Sequence, residues 1–309
     1  MGDLIGGISR TVNKWFKRKP EKPERPIIAT AIDTAPLSAE QLESVTRPSL
    51  NLTPPQILVG TAQSVGLQRD HNEDTLFTMS TMLADGNRDL PFGIFIVADG
   101  MGGYQNGELA SSAAARALGE YLINKFYLPF MTGKNESGDS IFEIMETGVQ
   151  EAQRSVLRNA PGGGTTLTSA LLVGEQVTFC HVGDSRAYLL YPDGRIVAAT
   201  QDHSLVRRLQ DLGQIDEKEA MIHPQRNVLY RALGQNEPFR PDINTHTIPR
   251  SGYILICSDG LWGTVPEDEI YRIVHQAPNP SIACHQLIEA ANNAGGPDNI
   301  TAVLVQYLS

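Results

Sequence analysis

Five short acidic motifs, spread over more than two hundred residues, constrain this chain more than any other feature. They are residues 69–74 (RDHNED), 99–103 (DGMGG), 183–186 (GDSR), 258–260 (SDG) and 296–299 (GPDN). Several of them place an aspartate where an apolar, strand-like run stops at a glycine turn. Carboxylates at strand ends can converge, and converging carboxylates repel one another unless a cation lies between them. The sequence therefore predicts a metal site built from distant parts of the chain.

The charge balance limits the classes of partner. A net charge of −10 argues against broad nucleic-acid binding, because a phosphate backbone favours a basic surface. Residues 1–26 carry seven Lys/Arg and three Asp/Glu, so the rest of the chain carries −14. An acidic body suits cation capture, although many soluble proteins are acidic for no such reason.

Cysteine usage and hydropathy indicate the compartment. The three cysteines have no paired spacing, which favours a reducing compartment. No apolar run reaches the ~18 residues of a membrane span, and the N-terminus lacks the long apolar region of a signal peptide. We therefore expect a cytoplasmic protein.

The chain divides into an N-terminal segment and a globular body. Residues 1–56 are predicted to be a basic tail and a Pro-rich linker, and residues 57–309 a globular domain. Apolar residues within 1–18 fall roughly on one helical face, which is typical of a membrane-surface or partner-binding helix. A solvated tail fits this short segment better. Residues 202–234 break the strand rhythm and are predicted to be an insertion with short polar helices.

The order of the predicted elements favours antiparallel sheets covered by helices, an α+β fold. Strand-like runs occur at 75–79, 92–98, 165–173, 176–182, 186–191, 242–248, 253–257 and 300–306. Helical spacing occurs at 108–126, more weakly at 139–158, and again at 267–274 and 281–293. Pro266 is expected in the first turn of the third of these helices.

The candidate ligands are all oxygen atoms, and this determines the expected metal. Asp99, Asp259 and Asp298 each follow or precede a strand-like run, and Glu73 and Asp74 lie in the first motif. No Cys or His has the spacing of a zinc site, so Mg²⁺ or Mn²⁺ is expected. Two such ions that share a carboxylate can lower the pKa of a bridging water and stabilise charge on a phosphoryl group.

Taken in this order, the five motifs resemble the metal-dependent protein phosphatase 2C family, in particular its compact bacterial branch. The resemblance covers roughly residues 58–307 and includes the fragments GTT at 164–166, DHSLV at 202–206 and RALG at 231–234. Each fragment is weak alone, but the ordered set is specific. It implies a four-layer α-β-β-α sandwich of two antiparallel sheets flanked by helices, with a flap at about 202–234 beside the active site.

The resemblance also implies the ligands of two Mn²⁺ or Mg²⁺ ions. Asp99 would bridge both ions. The side chain of Glu73 and the backbone oxygen of Gly100 would complete the ligands of one ion, and Asp259 and Asp298 would hold the other.

Three further roles follow from the resemblance. Asp184 would bind a third, weaker ion, Asp74 would orient metal-bound water, and Arg69 would bind the phosphate through its guanidinium. The implied reaction is hydrolysis of phosphoserine and phosphothreonine in phosphoproteins by a metal-bridging hydroxide, without a phosphoenzyme. A serine/threonine kinase and its substrates are the expected partners, by analogy.

Two features depart from this interpretation, and one alternative stays open. Many relatives have a histidine proposed as general acid where this chain has Met101, whose thioether cannot donate a proton. His203 is another candidate donor, although an anchoring hydrogen bond to the flap is the favoured role.

Cys180 and Arg186 have the Cys-x5-Arg spacing of cysteine-dependent phosphatases, which we attribute to chance because Cys180 lies in a strand pattern. The alternative is a phosphoprotein-binding regulator with this fold and little turnover.

Overall fold

This computed structural model of the protein describes residues 54–84, 89–102, 105–132, 138–235 and 240–308. The predicted tail and almost all of the predicted linker lie outside the described residues. No helix in these ranges combines the length and the apolar character that crossing a bilayer requires.

Two antiparallel sheets form the centre of the molecule. Sheet I contains, in spatial order, β1 (Gln56–Ser64), β11 (Ile300–Leu308), β10 (Tyr253–Cys257), β7 (Arg186–Leu190) and β8 (Ile196–Ala198). Sheet II contains β2 (Asp74–Ala84), β3 (Asp89–Met101), β5 (Leu167–Val173), β6 (Gln176–Val182) and β9 (Asp242–Thr247). The short β4 (Gly164–Thr165) pairs with the end of β3.

Helices cover the outer face of each sheet. In chain order the described helices are α1 (Gln105–Leu122), α2 (Leu128–Thr132), α3 (Ile141–Asn159), α4 (Leu205–Asp211), α5 (Glu217–Ile222), α6 (Asp259–Trp262), α7 (Glu267–Gln276) and α8 (Pro280–Asn293). A π-helical turn, Ile123–Tyr127, joins α1 to α2. Helix α3 begins at a capping box, in which Ser140 and Glu143 each bond the other's backbone N–H.

Three apolar clusters correspond to the three interfaces of a four-layer sandwich. One lies between sheet II and helices α1 and α3, and another between sheet I and helices α7 and α8. The third lies between the sheets, where Phe95 and Phe179 belong to the same cluster as Ile256 and Val303. The predicted α-β-β-α architecture is confirmed.

The sequence of strand β3 is almost continuously apolar because both of its faces are packed against other layers. Successive side chains of a strand point to opposite faces. Ile94 and Ile96 pack in the helix-facing cluster, whereas Phe95 and Val97 pack in the cluster between the sheets. Both faces of β3 are therefore buried, and this packing fixes the end of the strand, where Asp99 lies.

The structure differs from the predicted elements in several places. Strands β1 and β8 were not predicted, and β8 is a mostly exposed strand of three residues with little apolar signal. The predicted helix 108–126 begins at Gln105 and changes to the π-helical turn after Leu122. Pro266 is the residue before α7 and not part of its first turn. Asp259 begins helix α6, so its motif is not a strand followed by a turn.

Candidate metal centre

One polar cleft brings the predicted site residues together. It has a volume of about 420 Å³ and lies where strands of both sheets end. The predicted site residues that line it are Arg69, Glu73, Asp99, Gly100, Asp184, Asp259 and Asp298. Asp74 does not line the cleft; it is buried behind the lining residues. The flap contributes Asn227 and Leu229 to the lining.

Asp99 is fixed by its neighbours in sheet II. It pairs in register with Asp74, the first residue of β2. Its backbone N–H donates to Thr166 Oγ1 at 2.9 Å, and its backbone oxygen accepts from Thr166 N at 2.8 Å and Thr165 Oγ1 at 2.9 Å. The two threonines of the GTT fragment therefore hold the main chain that presents this carboxylate.

Gly100 occupies a position where a side chain does not fit. A Cβ atom there would lie 2.3 Å from the backbone oxygen of Gly107 and 2.6 Å from that of Glu73. The N–H of Gly100 donates to the same Glu73 oxygen at 3.2 Å. Gly107 in turn leaves room for the Glu73 carboxylate, which lies 2.7 Å from its hypothetical Cβ. These glycines bring the start of α1 against the first motif.

Asp74 joins the two sheets beneath the cleft. Its Oδ2 accepts hydrogen bonds from Ser258 Oγ at 2.8 Å and Thr301 Oγ1 at 2.6 Å, and both donors belong to the sheet I side. Its Oδ1 is buried and has no hydrogen-bond partner in the described part of the chain. Burial raises the pKa of Asp74 to about 7, against the lowering effect of the two hydroxyl donors.

Asp259 and Asp298 approach from sheet I. Burial and the neighbouring Asp298 raise the pKa of Asp259 to about 6. The Oδ1 of Asp259 is buried and lacks a hydrogen-bond partner among the described residues. Asp298 accepts from Asn299 N at 2.8 Å through Oδ1, and from Arg69 Nη2 at 2.7 Å through Oδ2.

The carboxylates carry more negative charge than the site neutralises. Burial, followed by neighbouring carboxylates, raises the pKa of Asp99 and of Asp184 well above the ordinary value. Within the described ranges, no three His, Cys, Asp or Glu side chains form a ready-made cage for one ion. Mg²⁺ and Mn²⁺ prefer oxygen ligands, and Mg²⁺ often takes one or two carboxylates and keeps several waters. The orphaned carboxylate oxygens and the hard donor set therefore fit divalent cations.

Arg69 is the basic group among the predicted site residues. Its side chain is 49% exposed and forms an ion pair with Asp298 at 2.7 Å. The hydrogen bond to Asp298 is the main cause of its raised pKa, so the guanidinium stays charged. A charged, half-exposed fork at the mouth of the cleft can bind phosphoryl oxygens.

Several residues that position the site were not assigned a role from the sequence. Asn299 Oδ1 accepts from Glu73 N at 2.8 Å, and Asn299 Nδ2 donates to the backbone oxygens of Val65 and His71, both at 2.9 Å. Asn299 therefore ties the first motif to the last strand. The GPDN motif was the available signal for Asn299 and the SDG motif for Ser258, whereas Thr301 gave no signal that separates it from ordinary strand residues.

Met101, His71 and His203 lie in different surroundings. Met101 lines the cleft. His71 also lines it, with Nε2 at 3.0 Å from Glu73 Oε1. His203 is buried; its Nδ1 accepts from Gly183 N at 3.0 Å, and its Nε2 lies 3.1 Å from Asp242 Oδ2. These contacts agree with the anchoring role expected for His203.

Cys180 is unsuited to nucleophilic catalysis. It is fully buried in the middle of β6, between the sheet and the helix layer. Burial raises the pKa of its thiol, so a thiolate is disfavoured. The Cys-x5-Arg spacing is therefore a coincidence of sequence.

Comparison with known proteins gives one consistent family. The sequence model described as Protein phosphatase 2C matches residues 59–300. The chain is 36% identical over 249 residues to the serine/threonine phosphatase stp of Listeria innocua, which covers 78% of this chain and 92% of that protein. It is 34% identical to the serine/threonine protein phosphatase PstP of Mycobacterium tuberculosis, over 79% of this chain and 43% of that protein.

Solved structures agree with the sequence matches. The Mycobacterium tuberculosis serine/threonine phosphatase PstP/Ppp superposes with a TM-score of 0.67 at 32% identity, covering 81% of this chain and 98% of that one. The catalytic domain of PstP in complex with two manganese ions superposes with a TM-score of 0.66 at 30% identity, covering 82% of this chain and all of that one.

Proposed function

The chain belongs to the protein phosphatase 2C family, and on this premise we propose that it hydrolyses phosphoserine and phosphothreonine in proteins with Mn²⁺ or Mg²⁺. The observation that carries the proposal is the convergence of Asp99, Asp259 and Asp298 with Arg69 in one open cleft. Anionic ligands beside a phosphate-binding guanidinium suit metal-assisted phosphoryl transfer to water.

The ligands of the two main ions would come from both sheets. Asp99 would be shared. Glu73 and the backbone oxygen of Gly100 would serve one ion, while Asp259 and Asp298 would serve the other. Bound ions of this type supply an activated water and neutralise charge on the phosphoryl group. Asp184 would bind a further, weaker ion.

The other site residues would bind and orient. Arg69 would leave Asp298 to bind the phosphoryl oxygens of the substrate, a role that its half-exposed side chain at the mouth of the cleft supports. Asp74 keeps one oxygen bonded to Ser258 and Thr301 and has the other unpaired, so it can accept a hydrogen bond from water at the site. Met101 cannot protonate the leaving serine or threonine oxygen.

The biological setting belongs to the same proposal. The relatives include serine/threonine phosphatases of bacteria, so phosphorylated proteins are the expected substrates, and a serine/threonine kinase would act on the same targets. We assign residues 57–309 to the catalytic domain and the enzyme to the cytoplasm. For residues 1–18 a solvated tail remains the favoured interpretation, and binding to a membrane surface or a partner protein is the alternative.

Hydrolysis of a small phosphoester and of a phosphothreonine peptide tests this function. We expect turnover with Mn²⁺, loss of turnover in EDTA, and at least about a hundredfold lower turnover in Asp259→Asn or Asp298→Asn because each change removes a ligand charge. Asp193→Asn is the matched control, since Asp193 is an exposed carboxylate paired with Arg195 in the β7–β8 hairpin.

The outcomes separate the proposed enzyme from its alternative. Wild-type rates in Asp259→Asn or Asp298→Asn would refute the metal assignment. Absence of hydrolysis under every metal condition, with binding of the phosphopeptide retained, would favour the phosphoprotein-binding regulator.

A further inference from the structure

Trp262 connects two separate walls of the cleft. It is the last residue of α6, the short helix that begins at Asp259. Its indole Nε1–H donates to the backbone oxygen of Asp184 at 3.0 Å. Asp184 belongs to the turn that follows β6, whereas α6 follows β10. One side-chain hydrogen bond therefore links the main chains that carry two of the cleft carboxylates.

The indole ring is itself held in place. The guanidinium carbon of Arg186 lies 3.5 Å from the centroid of the Trp262 ring, a stacked cation–π contact. The same guanidinium binds both oxygens of Asp202, with Nε at 2.9 Å and Nη2 at 2.7 Å. A bidentate pair fixes the plane of the guanidinium, so the ring beneath it has little freedom to rotate.

The turn that contains Asp184 is also held by His203, which lies at the start of the flap (about 202–234). His203, the residue after Asp202, donates its backbone N–H to the oxygen of Gly183 at 2.7 Å and accepts from Gly183 N through Nδ1 at 3.0 Å. Gly183 has a φ of +111°, a left-handed value that suits glycine. The turn thus depends on contacts from outside itself for its position.

We propose that Trp262 is a positioning residue, whose indole N–H fixes Asp184 relative to Asp259 and thereby sets the affinity of the cleft for its weakest divalent ion. Arg186 and Asp202 hold the ring. Because Asp202 is the first residue of the flap, the start of the flap is connected to the metal site through Arg186 and Trp262. Ligand carboxylates must lie within about 0.5 Å of their working positions, and the hydrogen bond from Trp262 acts on the main chain of such a ligand. This inference rests on the proposed function.

Trp262→Phe tests it, because phenylalanine keeps a flat ring beneath Arg186 and removes the N–H donor. The matched control is Tyr271→Phe, which removes a ring hydroxyl that donates to the backbone oxygens of Tyr191 at 3.1 Å and Pro192 at 3.2 Å, away from the cleft. Both variants lose the donor through which an aromatic side chain bonds to loop backbone. Mn²⁺ binding to the full-length proteins is measured by calorimetry without substrate.

We expect the dissociation constant of the weakest Mn²⁺ to rise about tenfold in Trp262→Phe, as for other groups that orient a ligand, and to stay unchanged in Tyr271→Phe. At saturating Mn²⁺ the KM for p-nitrophenyl phosphate should change by less than about twofold, because binding of the phosphoester by Arg69 is untouched. Equal Mn²⁺ affinity in Trp262→Phe and wild type, or equal weakening in both variants, would overturn the inference and leave Trp262 a structural residue.

A second variant decides the matter if Trp262→Phe does not fold. Asp202→Asn keeps the shape of the side chain and weakens the clamp on Arg186, so a smaller loss of Mn²⁺ affinity is expected; unchanged affinity contradicts the inference. The calorimetry is also independent of turnover. A wild type that binds Mn²⁺ but hydrolyses no phosphoester would refute the proposed function and leave the positioning role of Trp262 to be judged by binding alone.

Discussion

At the scale of single residues, the cleft depends on neutral groups that lie behind its carboxylates. Ser258 and Thr301 hold one oxygen of Asp74, and Asn299 holds the backbone of Glu73. The first two bonds orient the Asp74 carboxylate and the third holds the main chain at Glu73, but buried oxygens of Asp74 and Asp259 have no partner among the described residues. The site is therefore preorganised for a cation, because the described ion pair of Arg69 reaches Asp298 while Asp74 and Asp259 keep buried oxygens without partners among the described residues.

A buried histidine beside the site should make stability depend on pH. His181 is 1% exposed, and burial lowers its pKa from 6.5 to about 3. The folded state keeps this imidazole neutral, whereas the unfolded state binds a proton below pH 6.5. Its contribution is therefore fully present above pH 6.5 and lost as the pH falls from there towards 3.

We predict that His181→Gln flattens this dependence. Wild type should lose stability relative to the variant between pH 6.5 and 4.5, by up to about 1.4 kcal/mol per pH unit. Urea unfolding of both proteins across this range provides the measurement. The buried carboxylates are common to both proteins and cancel in the difference, so parallel pH curves would show that His181 does not titrate as described.

At the scale of elements, close contacts between main chains set how the layers meet. Strand β1 packs on the start of α8 through Gly60, where a Cβ atom would lie 2.2 Å from the backbone carbon and oxygen of Pro280. Gly60 pairs in register with Leu304 of β11. The strand and the helix can approach this closely only because the position has no side chain.

Gly60→Ala should therefore separate β1 from α8. We expect a loss of about 1–3 kcal/mol in the free energy of unfolding, the usual cost of overpacking. Thr61→Ala, on the neighbouring exposed residue, should change it by less than about 0.5 kcal/mol. Thermal or urea unfolding of the pair measures the difference, and equal stability would mean that the helix moves away at no cost.

At the scale of the whole molecule, the sandwich brings chain segments from both sheets to one cleft. Sheet II supplies Asp99, and loops and the helix beside sheet I supply Asp184, Asp259 and Asp298. Asp74 bonds across the sheets to Ser258 and Thr301. The relative position of the two sheets is therefore a condition for the metal centre.

Deletion of residues 1–50 should leave turnover of a small phosphoester within about twofold of wild type, because the strands of both sheets and the cleft lie beyond this segment. Deletion of residues 1–64 is the contrasting variant. It removes β1, which pairs with β11 over nine residues, and should abolish folding. Steady-state rates and circular dichroism distinguish the two, and a large loss of rate in the shorter deletion would show that the tail takes part in catalysis.

The sequence predicted most of the central strands and the composition of the site. Strands β6 and β10 were predicted to the residue, because each is an apolar run bounded by turn residues. The short β8 was missed because it is largely exposed and carries little periodic signal. Asp259 was placed at a turn, whereas it begins a helix, and element boundaries depend on capping contacts that hydropathy does not encode.

By itself the sequence determined the kind of chemistry available: oxygen ligands at five separated motifs, a guanidinium near the first, and alternating apolar strands to carry them. Tertiary structure alone decided which supporting groups reach them. The bonds from Ser258 and Thr301 to Asp74, from Asn299 to Glu73 and from Trp262 to Asp184 join residues 78 to 227 positions apart. The physical reason is that such contacts depend on the packing of two sheets against each other, a relation between distant segments that no local pattern records.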